Sequence, residues 1–492
     1  MTATTKARAT VWTLAITGAA LFMTALDNLV VGVALPSIRA DLGGSIESLE
    51  WTVNAYTLAF AVLLITGAAL GDRFGRRRMF TIGLGIFTGA SALAALAPSI
   101  EALIAARAIQ GVGAAIVTPL TLTLVSEAVP PEKRGGALGI WGAISGLGVA
   151  VGPFVGGLVV EGVSWQWIFW LNVPVGLALL PLAIRKLAES RGPDKALDLP
   201  GLGLAAAGLF GLTFGIIRGE ALGWTSAPVV TSIAAGLALL AFFVWWELRA
   251  REPMLPMRFF RSRSFSATNG LSFAMFFGTF GAIFLLSQFF QTAQGYGPLE
   301  AGLRTLPWTA MPMFVAPIAG VLGARFGTRP LMAAGLAMQA VALAWIGLIS
   351  AVDTPFAALI APFMLAGAGM ALVFPTAAAT VLASVRPEEA GKASGATNAI
   401  REIGGVMGVA VLATVFSANG GFQTPQAFTD GVVAALPVAV GVLAVGAVLA
   451  LIVPARMGRY GHGGEAHEDV RDLPAKAGTR TAEPAPAPGA GM

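Results

Sequence analysis

Residues 67–78 read Gly67-Ala-Ala-Leu-Gly71-Asp72-Arg73-Phe74-Gly75-Arg76-Arg77-Arg78. They join two apolar runs, about 51–70 and 80–97. Each run is long enough to cross the bilayer core as a helix of roughly 20 residues. A cluster of five charges between two such runs belongs at a membrane surface. The glycines allow a tight turn and close helix approach. A related pattern, Gly323-Ala324-Arg325-Phe326-Gly327, recurs later in the chain.

Composition extends this reading to the whole chain of 492 residues. Hydrophobic residues make up 56% and charged residues 12%, where a soluble domain carries roughly 25% charge. Mean hydropathy is +0.77. Such a chain could not cover a soluble surface, so an all-α polytopic membrane protein is expected in contact with the lipid bilayer, not a cytosolic enzyme or a nucleic-acid binder. Cysteine is absent, and the two histidines, His462 and His467, lie near the C-terminus. Disulfides, metal clusters and histidine-based catalysis are therefore not expected in the apolar part.

Fourteen apolar segments qualify as spans: about 12–36, 51–70, 80–97, 101–124, 136–160, 166–185, 200–217, 228–247, 268–292, 301–323, 330–350, 356–383, 393–417 and 430–453. With the N-terminus placed in the cytoplasm, 26 of the 31 basic residues fall on the cytoplasmic side. The exceptions are Arg39, Arg218 and Arg304 outside, and Arg107 and Arg401 within spans. Both termini are then cytoplasmic. Residues 454–492, rich in Ala, Pro and Gly, read as a disordered tail.

An internal repeat sets the organisation. Glu101–Gly139 and Ala357–Gly395, offset by 256, are identical at 16 of 39 positions, including Gly111/Gly367, Gly113/Gly369 and Pro119/Pro375. Repeats of this kind mark transporters. The expected division is a cytoplasmic N-terminus (1–11), a six-helix half (12–186), a linker with two inserted helices (187–266), a second six-helix half (267–453) and the tail (454–492).

Several motifs resemble those of the major facilitator superfamily. The 67–78 stretch resembles its loop 2–3 motif, which implies a cytoplasmic latch built from Gly71, Asp72, Arg73, Gly75 and Arg76. Leu103-Ile-Ala-Ala-Arg107-Ala-Ile-Gln110-Gly111-Val-Gly113 is similar to the span 4 arginine motif. Gly142-Ala-Ile-Ser-Gly146-Leu-Gly148-Val-Ala-Val-Gly152-Pro153-Phe-Val-Gly156-Gly157 resembles the antiporter motif, with Gly148, Gly152, Pro153 and Gly156 as gating elements. Leu26-Asp27-Asn28 through Pro36, the Trp165–Gly176 segment, Trp51-Thr-Val-Asn54-Ala-Tyr56, and Asn398-Ala-Ile-Arg401-Glu402-Ile-Gly404-Gly405 resemble the fourteen-span drug:proton antiporters, the multidrug efflux family of the EmrB/QacA kind. That resemblance implies a functional acid at Asp27. Ala324 replaces the acid in the second copy of the loop, so a matching latch there is not expected.

Two carboxylates lie clearly inside spans, Asp27 and Glu402. A carboxylate taken out of water favours its neutral form, which suits reversible proton loading. Asp27 lies roughly 14 Å and Arg107 roughly 9 Å from the outer surface, at about 1.5 Å rise per residue, so the two are at compatible depths. Arg401 and Glu402 are about 100° apart round their helix, and a direct pair between them does not follow. Phe273, Phe277, Phe280 and Phe284 share one helical face of span 9, followed by Gln288 and Gln291. That face lines either a drug pocket or lipid. Trp308, Asn28, Asn54 and Tyr56 complete the candidate substrate contacts.

The expectation is a monomeric proton-coupled antiporter exporting amphipathic, cationic small molecules, driven by the proton gradient without a cofactor. A dedicated exporter of one endogenous metabolite, antibiotic or lipid is the second reading. A membrane sensor that transports nothing is the third.

Overall fold

The computed structural model describes residues 3–129, 134–191, 198–386 and 389–454. The tail beyond residue 454, both histidines and the loop Pro131–Lys133 lie outside the described residues. The described residues form helices joined by short loops. The N-terminal group holds α1 (Ala3–Leu42), α2 (Ile46–Phe74), α3 (Arg76–Ala95), α4 (Ile100–Ala128), α5 (Arg134–Gly162), α6 (Trp167–Trp170) and α7 (Asn172–Lys186). A pair follows, α8 (Leu199–Leu222) and α9 (Ala227–Glu247). The C-terminal group holds α10 (Arg263–Thr292), α11 (Pro298–Thr309), α12 (Met311–Phe326), α13 (Thr328–Ile349), α14 (Phe356–Ala383), α15 (Ala390–Asn419) and α16 (Pro425–Ile452). Side-chain oxygens of Ser45, Ser99, Ser262 and Thr424 cap α2, α4, α10 and α16, meeting backbone donors that the first helical turn leaves unpaired.

Among the described residues, twelve helices are long and apolar enough to cross a membrane. The number is thirteen if α2 is one span despite a 52° bend between Leu64 and Thr66. The fourteen spans expected from the sequence are therefore not reached. The two expected spans outside the twelve fall on α2, which bends, and on α5, whose apolar stretch among the described residues is Val151–Gly162.

Helices α2 and α3 pack on α4, and α1 on α5; in the C-terminal group α15 packs on α10, and α14 and α16 on α13. The two groups meet mainly along α5–α11 and α2–α15, while α8 and α9 pack on each other and α8 touches α2 and α15. Glycine sets the spacing. A Cβ on Gly111 would lie 2.4 Å from the Tyr56 carbonyl oxygen, and one on its repeat partner Gly367 would lie 2.2 Å from that of Trp308. Gly113 meets the Gly83 carbonyl at 2.8 Å, and Gly369 meets that of Gly335 at 2.4 Å. The repeated glycines thus perform the same packing in both groups, with backbones too close for any side chain.

Loops alternate between two faces. The near face carries Gly75, residue 129 and Gly327. The far face carries Gly43, Leu96, Val163, Gly223, Gly295, Ala351 and Gly420.

Candidate transport site

Four helices of the N-terminal group, α1, α3, α4 and α7, aim polar side chains at one buried point, and α2 adds a backbone carbonyl and an aromatic ring. Asp27 Oδ2 accepts from Arg107 Nη1 at 2.5 Å, and its Oδ1 accepts from Gln110 Nε2 and Asn172 Nδ2, both at 2.8 Å. Asp27, Arg107 and Gln110 are each 0% exposed. Arg107 also donates Nη1 to Gln110 Oε1 at 2.7 Å and Nε to the Thr52 carbonyl at 3.3 Å. Its guanidinium lies 4.2 Å from the Tyr56 ring centre. Ser91 Oγ accepts from Gln110 and from Asn172 at 2.8 and 3.4 Å. A buried ion pair survives only when its remaining donors and acceptors are met, and this one is held from α1, α2, α3, α4 and α7. The depth comparison brings Asp27 and Arg107 together. It could not supply Gln110, Asn172, Ser91 or Thr52, although all but Ser91 stand in quoted motifs.

A second charged centre lies in the C-terminal group. Arg401 is buried, with Nη1 on Asn398 Oδ1 at 3.4 Å and its guanidinium 4.5 Å from the Phe374 ring centre and 6.0 Å from that of Phe276. Its Nε and Nη2 have no hydrogen-bond partner, nor has Oε2 of half-buried Glu402. Phe276 stacks on Phe280 at 5.3 Å and against Phe374 at 6.4 Å.

The candidate substrate contacts divide. Asn28, Asn54, Gln288 and Trp308 each carry a buried polar atom without a partner. Phe277 and Phe284 are core residues instead: a Cβ on Gly408 would lie 2.1 Å from the Phe277 carbonyl, so that face of α10 is pressed onto α15 rather than onto a pocket. Gln291 seals the far face. Its Nε2 donates to the Val33 carbonyl at 2.9 Å, and beside it Ser287 Oγ donates to the Gly32 carbonyl at 3.2 Å. Pro36 explains the second acceptor. It has no N–H, so the Gly32 carbonyl four residues earlier has no helical donor and takes one from α10.

The antiporter-like motif builds the rest of that contact. Gly148, Gly152 and Gly156 lie against α1, where Cβ atoms would meet the Phe22 carbonyl at 3.0 Å, Leu29 Cβ at 3.2 Å and Val30 Cγ2 at 2.7 Å. Gly302 of α11 backs onto the Pro153 carbonyl, 2.2 Å from its would-be Cβ. Gly157 backs onto Pro298 in the same way, and Glu161 Oε2 accepts from Leu299 N at 3.0 Å. The small residues therefore let α5 touch α1 on one side and the C-terminal group on the other.

At the near face Asp72 pairs with Arg76 at 2.7 Å, and Arg76 pairs in turn with Glu127. Glu127 accepts from Ser190, and Glu189 accepts the backbone N–H groups of Arg77 and Arg78 at 3.0 and 3.3 Å. Arg73 is exposed and lies over the Phe74 ring. Gly75 has φ +108, and a Cβ there would meet Glu189 at 2.8 Å; one on Gly71 would meet Leu120 at 2.2 Å. This network stays inside the N-terminal group, tying α2, α3 and α4 to the segment after α7. Glu189 was not legible in sequence, being 112 residues from the N–H group it accepts.

The described residues form an all-helical body with many candidate membrane spans and buried charge in each of two repeated groups, which fits a polytopic membrane transporter. A Major Facilitator Superfamily model matches residues 17–202, 199–409 and 268–463. The chain is 38% identical over 408 residues to the multidrug resistance protein Stp of Mycobacterium tuberculosis, covering 82% of this chain and 76% of that one. It is 38% identical over 444 residues to the cephamycin export protein CmcT of Amycolatopsis lactamdurans, covering 88% and 90%. A peptide transporter POT solved with sulfate has the same fold, with TM-score 0.68, 14% identity, and coverage of 91% and 96%. The chain belongs to the major facilitator superfamily.

Proposed function

We propose that the chain is a proton-coupled antiporter exporting amphipathic small molecules across the cytoplasmic membrane by alternating access. The observation that carries this reading is the buried Asp27–Arg107 pair, in a chain whose relatives are named for drug resistance and antibiotic export. A proton on Asp27 cancels the charge that holds Arg107. The guanidinium then falls back on Gln110, the Thr52 carbonyl and the Tyr56 ring. Because Asp27 sits on α1, the helix α10 locks at the far face, a change at the pair bears on that seal. Substrate release outside and proton release inside alternate as the two groups rock. A cationic cargo would meet the free oxygen of Glu402. The reading as an exporter of one compound keeps the same chemistry and is favoured by the relative named for cephamycin alone.

The same proposal covers topology. Two six-helix halves flank the inserted pair α8–α9, both termini are cytoplasmic, the protein acts as a monomer, and the near face is cytoplasmic. With α2 as one bent span, α5 is the fourteenth: its 29 helical residues exceed the roughly 20 a crossing needs.

Proteoliposomes with an imposed pH gradient test the coupling. Asp27→Asn is expected to abolish drug-driven proton movement while retaining drug binding. Glu402→Gln is expected to give a smaller or substrate-dependent loss. Full coupling in Asp27→Asn with loss in Glu402→Gln would move the proton site to α15.

A further inference from the structure

Arg401 is the buried cation that the proton cycle leaves without a task. It is 3% exposed, yet two of its three guanidinium nitrogens, Nε and Nη2, lack an acceptor. A guanidinium removed from water is normally paired with a carboxylate or carbonyl oxygens. Here the pairing is a long hydrogen bond to Asn398 and the faces of Phe374 and Phe276. Its neighbour Glu402 does not close the gap, and Glu402 Oε2 is itself without a partner. Phe374 of α14 meets Phe276 of α10 and Arg401 of α15, and 45% of its surface is left uncovered by protein.

We infer that Arg401, framed by Phe276 and Phe374, binds the carboxylate of an aromatic cargo, whose ring system lies against the phenylalanines. Two free nitrogens on one side of a planar fork match the two oxygens of a carboxylate. Rings beside the fork match a flat apolar body. The site therefore accepts anionic or zwitterionic aromatic compounds, which the expectation of a cation does not include. This assignment rests on the exporter reading for how cargo arrives, but binding alone is enough to test it.

The experiment uses the purified full chain in detergent, with fluorescein and its methyl ester as probes that differ in the carboxylate and share the ring system. Binding is read by fluorescence anisotropy and export by counterflow from proteoliposomes. The parent chain is expected to bind the acid about tenfold more tightly than the ester, the order of one charge-assisted hydrogen-bonded pair. Arg401→Gln is expected to erase that preference. Arg401→Lys, with charge but no fork, should give an intermediate ratio. Phe374→Ala should weaken acid and ester alike. Should Arg401→Gln fail to fold, the acid-to-ester ratios of the parent and of Arg401→Lys still decide. Equal binding of acid and ester by the parent overturns the assignment, as does a preference that survives Arg401→Gln. A binding preference without any export of either dye supports the site and overturns the exporter reading instead.

Discussion

Replacing Asp27 by Asn and Arg107 by Gln, singly and together, measures what the buried pair contributes. Removing one partner of a buried ion pair costs about 3–5 kcal/mol, because the other charge stays behind. Here the charge left behind keeps company. In Asp27→Asn, Arg107 retains Gln110 Oε1 at 2.7 Å, the Thr52 carbonyl at 3.3 Å and the Tyr56 ring at 4.2 Å. In Arg107→Gln, Asp27 retains the amides of Gln110 and Asn172. Each single loss therefore belongs near the low end, about 3 kcal/mol. The double variant leaves two neutral amides in a ring of amides and hydroxyls, and should lose about as much as one single variant. The expected coupling energy is about 2–3 kcal/mol. Unfolding free energies from denaturing-detergent titration in bicelles, followed by tryptophan fluorescence at one pH, give all four corners of the cycle. Additivity within about 0.5 kcal/mol would refute the argument, since the pair would then carry no energy of its own.

Gly302→Val should prevent α5 and α11 from meeting, because a Cβ lies 2.2 Å from the Pro153 carbonyl; loss of about 1–3 kcal/mol and of transport is expected, read by melting and uptake assays. Glu189→Ala should strip the α3 N-terminus of its anion, lowering stability by about 0.3–1 kcal/mol in a salt-dependent way, so equal melting at low and high salt would count against it. The chain has no cysteine, so single cysteines report topology directly. In intact cells Ala351→Cys should react with an impermeant thiol reagent, and Arg191→Cys should react only after permeabilisation. The reverse pattern would invert the protein in the membrane.

The all-helical fold was legible because period and length suffice for it: apolar runs near 20 residues, broken by charged loops, admit few other structures. The Asp27–Arg107 contact was legible because rise per residue converts sequence into depth. What lateral neighbours do was not legible. The Phe273–Phe284 face exists as the helical period says, but whether a face meets a cleft, lipid or another helix depends on the partner. Here Gly404 and Gly408 bring α15 flush against it. Phe276, off that face by one position, is the ring that reaches Arg401. The two expected spans outside the twelve fall on α2, where a bend divides the helix, and on α5.

Pro36 has a consequence for how the far-face seal can drift over generations. The seal's acceptors on α1 are main-chain oxygens of Gly32 and Val33, and one of them is free only because a proline stands one turn later. Main-chain oxygens are identical in every amino acid. The α1 side can therefore exchange side chains at 32 and 33 without erasing the contact, so long as bulk permits and the proline remains. The α10 side has no such latitude, since only Ser287 and Gln291 supply the donors. Resistance variants that loosen the seal should accordingly fall on α10 or on Pro36, and seldom on the two positions whose oxygens are held.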